Sequence, residues 1–227
     1  MLDWVLIDRM VFGLEHARPS GLVLTWVLFG ATFGVSISMS YVLACLSQRF
    51  RGFGFASASG FTLFRGIPPL ILIFAVDYFV AGPLLMKAVV ALTLYSMSHL
   101  YPVFAKFMRQ YPDRLNYVEH VLRIGFFRRY FWFRLHWVMS RSLPAVHTHL
   151  ISLFKDTSIV IIIGMLELSA ITKLMASRTY DITEWIGVFA TCALLYFVNV
   201  QIVSALCLAV RSALRRAGAA SRSIYAT

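Results

Sequence analysis

The chain has 227 residues, of which 59% are hydrophobic and only 14% are charged, and its mean hydropathy is +0.75. A soluble domain carries about 25% charged residues, so this composition excludes an ordinary soluble protein. The net charge of +11 would suit nucleic-acid binding, but the basic residues are sorted along the chain as in a membrane protein, and we expect no nucleic-acid partner.

Long stretches without any acidic or basic residue account for the high hydropathy. They cover residues 19–48, 88–105 and 185–210, each near or beyond the ~20 apolar residues that cross a bilayer. The pattern predicts an all-α, polytopic membrane protein with five transmembrane helices, at residues 21–46, 60–80, 83–105, 143–171 and 185–210. We expect an N-terminal interfacial segment at residues 1–20, a transmembrane domain at residues 21–212 and a cytoplasmic tail at residues 213–227.

Positive charge is divided unevenly between the two ends of these predicted spans. Fifteen Lys and Arg residues fall on one side of the membrane and five on the other. Loops rich in Lys and Arg stay in the cytoplasm, so we expect the N-terminus outside and the C-terminus inside. The five outer residues are Arg9, Arg18, Lys87, Lys173 and Arg178. The fifteen inner residues are Arg49, Arg51, Arg65, Lys106, Arg109, Arg114, Arg123, Arg128, Arg129, Arg134, Arg141, Arg211, Arg215, Arg216 and Arg222.

The predicted first span carries a face of small residues. Its members are Gly30, Gly34, Ser36, Ser38 and Ser40. Small side chains let a second helix approach closely. That helix belongs either to this same chain, which we favour, or to another subunit.

The longest polar segment, residues 106–142, joins the third and fourth predicted spans. Leu115, Val118, Leu122 and Phe126 recur there at near-helical spacing, and aromatic residues crowd its second half. A loop this apolar is not a solvated tether. It either lies on the membrane surface, with its arginines near anionic lipid head groups, or docks on a partner protein.

Four stretches, taken in order, resemble one known family. They are "GLVLTWVLFGATFG", "FTLFRGIPPLILIFAVDYF", "SLPAVHTHLISLFKDTSIVIIIGMLEL" and "LLYF". Together they are similar to the permease subunits of bacterial ABC importers for polar amino acids, of the histidine, glutamine and arginine type. The most specific elements are Arg65-Gly66-x-Pro68 and the run Lys155, Asp156, Thr157 and Ser158.

The resemblance implies a type I ABC-importer permease fold in the bacterial cytoplasmic (inner) membrane. The implied partners are a second permease subunit, homologous or identical, two cytoplasmic ATPase subunits and a soluble substrate-binding protein. No Gly-x-x-x-x-Gly-Lys-Ser/Thr phosphate loop occurs in the sequence. We therefore expect no cofactor in this chain, with ATP and Mg bound by the partner ATPase. The implied solute is a polar amino acid, cationic ones included.

The family's cytoplasmic loop carries a coupling motif, Glu-Ala-Ala and then Gly after three residues, which docks in a groove of the ATPase. Here "EHVLRIG" keeps Glu119 and Gly125 at that spacing, but His120 and Val121 replace both alanines. With Arg123, these residues form the expected ATPase-coupling loop. The larger side chains should hinder docking, unless the ATPase groove is matched to them or this chain is the weaker-coupled half of a permease pair.

Two adjacent charges, Lys155 and Asp156, fall inside the predicted fourth span. An isolated charge at the centre of a span costs roughly 2.5–3.5 kcal/mol on insertion scales. Neighbouring helical residues point about 100° apart, so each charge needs its own partner or an aqueous cavity. Thr157 and Ser158 add hydroxyls that satisfy backbone groups where a helix is broken. The four residues either line the translocation path near a gate, which we favour, or form a buried structural network.

Four residues outside that run complete the predicted path or gate. Arg65 and Pro68 belong to it through the family motif. Asp77 is absent from the family pattern, and it either attracts a cationic amino acid or is paired with Lys87 or solvated at the outer interface. Glu167 matches a family glutamate near the outer end of the fourth span, where it serves an external gate or simply lies at the interface.

The remaining titratable residues indicate neither a metal site nor an enzyme. His147 and His149 are two residues apart and so lie on opposite sides of a helix, unable to chelate one ion. Cys45, Cys192 and Cys207 are scattered through apolar runs, as small core residues are. No activated nucleophile or carboxylate pair occurs, so we expect no catalysis by this chain.

These observations predict the permease subunit of an ATP-driven amino-acid importer, forming half of an alternating-access path. The alternative is a non-transporting membrane scaffold or regulatory subunit derived from such a permease. The replaced alanines at His120 and Val121 are its main support.

Overall fold

The computed structural model describes residues 4–13 and 20–224. These residues are mostly helical and include no β-strand. They also include a π-helical turn, Arg129–Arg134, and a 3₁₀ helix, Thr157–Ile163. The α-helices are α1 (Trp4–Phe12), α2 (Gly21–Arg49), α3 (Arg51–Gly66), α4 (Pro69–Phe79), α5 (Leu84–Arg109), α6 (Asp113–Val121), α7 (Phe126–Arg128), α8 (Leu135–Asp156), α9 (Leu168–Ala176) and α10 (Ile182–Ile224).

Four helical stretches of the described chain are long and apolar enough to cross a bilayer. They are Gly21–Arg49, Leu84–Arg109, Phe126–Ile163 and Ile182–Leu214. A fifth exists only if α3 and α4 are counted as one span, because they are bent by 107° relative to each other. The predicted all-α, polytopic class is confirmed, and the bent pair α3–α4 occupies the place of the span predicted at residues 60–80.

The break between α3 and α4 follows from the two prolines in "RGIPP". Proline has no backbone N–H and forces the preceding residue out of the α region. Ile67 is accordingly extended, at φ −88° and ψ 123°, and α4 begins on Pro69, at the position where a proline ring fits a helix. The span predicted for residues 60–80 is therefore interrupted at Ile67. The 11 residues of α4 rise only about 16 Å, too little to cross a bilayer.

The predicted fourth span, residues 143–171, differs from the structure at both ends. The helical path begins at Phe126 and stops at Ile163, so the second half of the predicted loop is helical and continues directly into the span. Gly164 ends it with a φ of +84°, the left-handed conformation in which glycine terminates helices. A separate helix, α9, then starts after Glu167.

The core lies mainly between α2 and α5, with α8 and α10 packed beside them. At its centre is Phe154, which is completely buried. Its ring meets those of Trp26, Phe29 and Tyr196 edge-on, with centroids 5.3, 5.3 and 6.0 Å away. Edge-on aromatic contacts add to the stabilisation from burial alone. Phe154 thus anchors the end of α8 one residue before the two charges.

The small-residue face of α2 separates into two sets. Ser36 and Ser40 are completely buried within the chain, which confirms packing inside the chain for that set. Gly30, Gly34 and Ser38 are exposed on another side of the helix. A Cβ added to either glycine would meet no atom within 4 Å, so this second set faces away from the bundle.

The N-terminal helix α1 packs on protein. Met10 is completely buried in a cluster with Leu168, Ala176, Val188 and Cys192 of α9 and α10. Trp4 is 80% exposed at the other side of the helix. The predicted interfacial segment therefore contacts the bundle through α1, while residues 1–3 and 14–19 lie outside the described ranges.

Candidate functional site

The run Lys155 to Ser158 marks the point where α8 changes from an α-helix to a 3₁₀ helix. The Thr157 hydroxyl donates to the carbonyl of Phe154, and the Ser158 hydroxyl donates to the carbonyl of Lys155, each at 2.7 Å. These bonds satisfy carbonyls near the change of helix type, as expected. Lys155 is exposed, and its ammonium makes no hydrogen bond or salt bridge within the described chain.

Asp156 faces a polar cluster on α5 and α8 that comprises Tyr95, His99, His149 and Asp156. The His99 and His149 rings are stacked, with centroids 5.2 Å apart and planes 12° apart. The Tyr95 ring lies 4.8 Å from that of His99. The Asp156 carboxylate interacts electrostatically with His99 and with Lys155. Four polar side chains from two spans therefore meet at one place.

Two atoms of this polar cluster are buried without a hydrogen-bond partner in the described chain. They are Oδ2 of Asp156 and Nε2 of His149. A buried polar group without a partner costs about 1–3 kcal/mol, and more when it is charged. The cluster thus offers both an anionic acceptor and a ring nitrogen to a polar ligand. The described residues include no group of three or more His, Cys, Asp or Glu that could hold a metal ion.

Sequence reasoning identified Asp156 but missed Tyr95, His99 and His149 as its neighbours. The signal was present in the spacing: Tyr95 and His99 are four residues apart on one helix, and His149 and Asp156 are seven apart on another. Residues at these spacings share a helix face. What the spacing left undetermined was that α5 and α8 turn these faces toward each other.

The inner side of the predicted coupling segment is stabilised by hydrogen bonds and ion pairs to the Glu119 carboxylate. Glu119 is only 2% exposed, and its carboxylate accepts hydrogen bonds from Tyr111 at 2.6 Å and from Nη2 of Arg134 at 3.0 Å. Arg129 adds an ion pair at 3.5 Å. The Arg134 guanidinium lies 4.8 Å from the Tyr111 ring centroid and 4.7 Å from that of Tyr130. Burial, then the hydrogen bond to Glu119, raises the pKa of Tyr111.

The outer side of the coupling segment is exposed and apolar. His120, Arg123 and Gly125 are exposed, and Val121 is 62% exposed. Further exposed residues on or after α6 are Leu115, Tyr117, Val118, Leu122 and Phe127. The residues that replace the family's alanines thus lie on the surface, while Glu119 lies behind them as an internal brace.

Comparisons with known proteins rest on structure. No family model matches the sequence, and no curated protein matches it. A chain of the MetNI methionine ABC transporter, solved in inward-facing conformations, superposes with a TM-score of 0.68 at 17% sequence identity, covering 84% of this chain and 91% of that one. The chain has the fold of an ABC-importer permease. At this identity the likeness establishes the fold alone.

Within this permease fold, Asp77 is already paired. Its Oδ1 accepts a hydrogen bond of 2.9 Å from Nζ of Lys87, which also donates to the Asp77 carbonyl at 3.0 Å. The pair ties the end of α4 to the start of α5. The structure therefore favours the Lys87 alternative over a free carboxylate that attracts a cationic solute.

Glu167 caps a helix deep inside the permease fold. It is completely buried, and its carboxylate accepts the backbone N–H groups of Ser169 and Ala170 at 2.8 and 3.0 Å and the hydroxyl of Tyr196 at 3.1 Å. Burial raises the pKa of Glu167 to about 7, and these hydrogen bonds oppose that shift. The side chain is therefore enclosed by protein, and it joins the start of α9 to α10 through Tyr196.

Arg65 and Pro68 lie apart from the polar cluster. Pro68 is the residue at the α3–α4 break. Arg65 lines a cavity with Lys106 and Arg109, and none of that cavity's lining residues belongs to the run from Lys155 to Ser158. The predicted path residues therefore divide into separate places: the polar cluster, the Asp77–Lys87 pair, the Glu167 cap and the Arg65 cavity.

Proposed function

We propose that this chain is the membrane-spanning permease subunit of an ATP-driven importer and that its polar cluster lines the translocation path. The proposal rests on one observation above the others. A carboxylate oxygen of Asp156 and a ring nitrogen of His149 are buried without partners, in a fold shared with a chain of an ABC transporter. Ionisable groups inside membrane spans are costly and mark solute or ion pathways.

The chemistry of the polar cluster suits a polar amino acid. Asp156 accepts from an ammonium or guanidinium group, and Lys155, which is exposed next to it, carries the charge that a carboxylate requires. The two charges lie on different sides of α8, so a zwitterionic solute meets the Asp156 acceptor through its ammonium group. A cationic amino acid fits the same acceptor, which is why amino acids of both kinds belong in the transport test.

One such chain makes a poor enclosure for a hydrophilic solute, so a second permease, identical or homologous, completes the path. The exposed apolar side of α6 offers a surface for a cytoplasmic ATPase, one per permease, which binds ATP and Mg. A soluble substrate-binding protein delivers the solute to the outer side. The chain lies in the bacterial inner membrane. The distribution of Lys and Arg favours a cytoplasmic position for its C-terminus and for α6. Movement of α6 with ATPase closure alternates access to the path.

Transport by a reconstituted complex tests this proposal. The chain is purified in mild detergent with the ATPase that accompanies it, placed in liposomes with trapped ATP, and supplied with labelled arginine, histidine, glutamine, methionine and glutamate. ATP-dependent uptake of one or more is expected, and substitution of Asp156 should reduce it. A complex that hydrolyses ATP without accumulating any amino acid would contradict the assignment of solute.

A second candidate is a non-transporting scaffold or regulator with a permease fold. It is favoured by the outward projection of His120 and Val121, which places larger side chains on the docking surface than the family's alanines. Purification of the chain distinguishes the two candidates. A transporting permease co-purifies with an ATPase at a ratio of one to one, whereas a chain that purifies without one supports the scaffold.

A further inference from the structure

A groove between α3 and α5 forms a second site, distinct from the polar cluster. It encloses a cavity of about 260 Å³ whose lining includes the last turn of α5. Its lining residues are Ala58, Phe61, Thr62, Arg65, Ser98, Tyr101, Pro102, Ala105, Lys106 and Arg109. The translocation proposal assigns this cavity no role.

One wall of the groove is a single face of α3. Ala58, Phe61, Thr62 and Arg65 follow one another at the spacing of residues that share a helix face. Phe61 packs against Tyr101 of α5, with ring centroids 4.9 Å apart. The wall therefore changes along its length from apolar side chains to a guanidinium.

The opposite wall, on α5, also carries both apolar side chains and cations. Tyr101 and Ala105 are buried at its base, while Lys106 and Arg109 are exposed near the last turn of the helix. Residues 102 and 106, like residues 105 and 109, are four apart and lie on one face. Each wall thus combines apolar side chains with cations, and all three cations line the same cavity.

The three cations that line the cavity have no counter-charge in the described chain. No Asp or Glu lines the cavity, and Arg65, Lys106 and Arg109 form no salt bridge with any described residue, since the ion pairs found join Asp77 with Lys87 and Glu119 with Arg129 and Arg134. Three cations held together repel one another unless an anion lies between them. The charge pattern therefore fits an anionic ligand.

We propose that this groove binds an anionic phospholipid, with the phosphate between Arg65, Lys106 and Arg109 and the start of an acyl chain along Ala58, Phe61 and Pro102. A ligand with an anionic head and an apolar tail matches both parts of the groove, whereas free phosphate gains nothing from the apolar floor. Basic pockets between membrane helices on the cytoplasmic side take anionic head groups in this way. The inference does not depend on transport and requires only that the chain lies in a bilayer.

Lipid titration of the full chain tests the proposal. The protein, stripped of lipid in detergent, is titrated with phosphatidylglycerol and separately with phosphatidylcholine, and bound lipid is counted by native mass spectrometry. Phosphatidylglycerol should bind at least ten times more tightly. The triple variant Arg65→Gln, Lys106→Gln, Arg109→Gln should raise its Kd on the order of 100-fold, from the contribution of three basic residues.

A matched triple variant controls for general electrostatics. Arg114→Gln, Arg128→Gln and Arg216→Gln remove three exposed cations from outside the groove, and the Kd for phosphatidylglycerol should stay unchanged. Thr62→Trp keeps every cation but fills the groove at an exposed position, and it should weaken lipid binding while the fold, measured by circular dichroism, is retained.

Three outcomes would overturn the proposal. Equal losses in the two triple variants would mean that net charge alone attracts the lipid. Equal affinity for phosphatidylcholine would remove the role of the anionic head. Displacement of phosphatidylglycerol by millimolar inorganic phosphate, with Thr62→Trp as competent as the wild type, would assign the groove to a free anion.

Discussion

Glu119 and Arg134 are joined by two hydrogen bonds, at 3.0 Å from Nη2 and 3.2 Å from Nε of the guanidinium to the same carboxylate oxygen. The pair connects α6 to the π-helical turn at the start of the long α7–α8 span. It therefore provides a direct mechanical link between α6, with its exposed outer side, and the helix that carries Lys155 and Asp156.

Removing one partner of this buried pair should loosen α6. Breaking a buried ion pair on one side costs roughly 3–5 kcal/mol, because the remaining charge is left buried without a counter-charge. Glu119→Ala should accelerate hydrogen exchange of the α6 amides and reduce stimulation of uptake by ATP. His120→Ala, at an exposed neighbouring position, is the control and should leave exchange unchanged. Equal rates of hydrogen exchange in the two variants would contradict the role of Glu119 in holding α6 in place.

Substitutions at Gly125 should separate docking from folding. Gly125 is exposed, and a Cβ added there meets no atom within 4 Å. Gly125→Ala should therefore be tolerated in both stability and coupling. Gly125→Trp should leave assembly intact but uncouple ATP hydrolysis from uptake, because its side chain projects into the ATPase interface. The ratio of ATP hydrolysed to solute accumulated measures this, and a wild-type ratio for the tryptophan variant would count against docking here.

Neutralising Asp156 should reduce transport without unfolding the chain. Loss of one charge-assisted hydrogen bond to a solute corresponds to roughly 10- to 100-fold in uptake. Asp156→Asn keeps the shape of the side chain and removes a half-buried charge, so thermal stability should be equal or higher. Asp181→Asn, fully exposed and outside the spans, is the matched control. If uptake by Asp156→Asn equals that of the control, the polar cluster is structural.

Asp77→Asn should not change the order of substrates. The Asp77–Lys87 pair is partly exposed, at 36% and 17% of the two side chains, and such pairs contribute less than about 1 kcal/mol. Initial uptake rates for arginine, glutamine and glutamate should keep their wild-type ranking. The charge-reversed double variant Asp77→Lys, Lys87→Asp should restore any lost stability. A selective loss of arginine uptake would instead support direct attraction of cations by Asp77.

The Glu167 cap should make stability depend on pH. Burial raises the pKa of Glu167 from 4.5 to about 7, so the folded chain binds this proton more tightly than the unfolded chain does. Its stabilising contribution is complete below about pH 4.5 and is lost as the pH rises through about 7. Glu167→Gln, which resembles the protonated form, should flatten this dependence. Thermal unfolding in detergent across that pH range measures this dependence. Identical slopes of melting temperature against pH for the wild type and Glu167→Gln would contradict the raised pKa of Glu167.

The sequence identified the segments that enter the membrane. It was much less informative about the positions at which their helices are interrupted. Hydropathy located the apolar stretches because a bilayer excludes charge regardless of packing. The 107° bend after Gly66 was implied by Pro68 and Pro69, yet a window of average hydropathy runs straight through it. The turn at Gly164 was missed for the same reason, because its left-handed φ has no signature in hydropathy.

The sequence by itself determined the all-α membrane class and the unusual placement of Lys155 and Asp156, because these follow from local composition and from the cost of charge in lipid. Only the tertiary structure decided the partners: Glu119 with Arg134, Asp77 with Lys87, Glu167 with Tyr196, and His99 stacked on His149 beside Asp156. Each of these pairs except Asp77–Lys87 joins residues fifteen or more positions apart. Their contact depends on how helices pack against one another, and helical periodicity fixes only the face on which a residue lies.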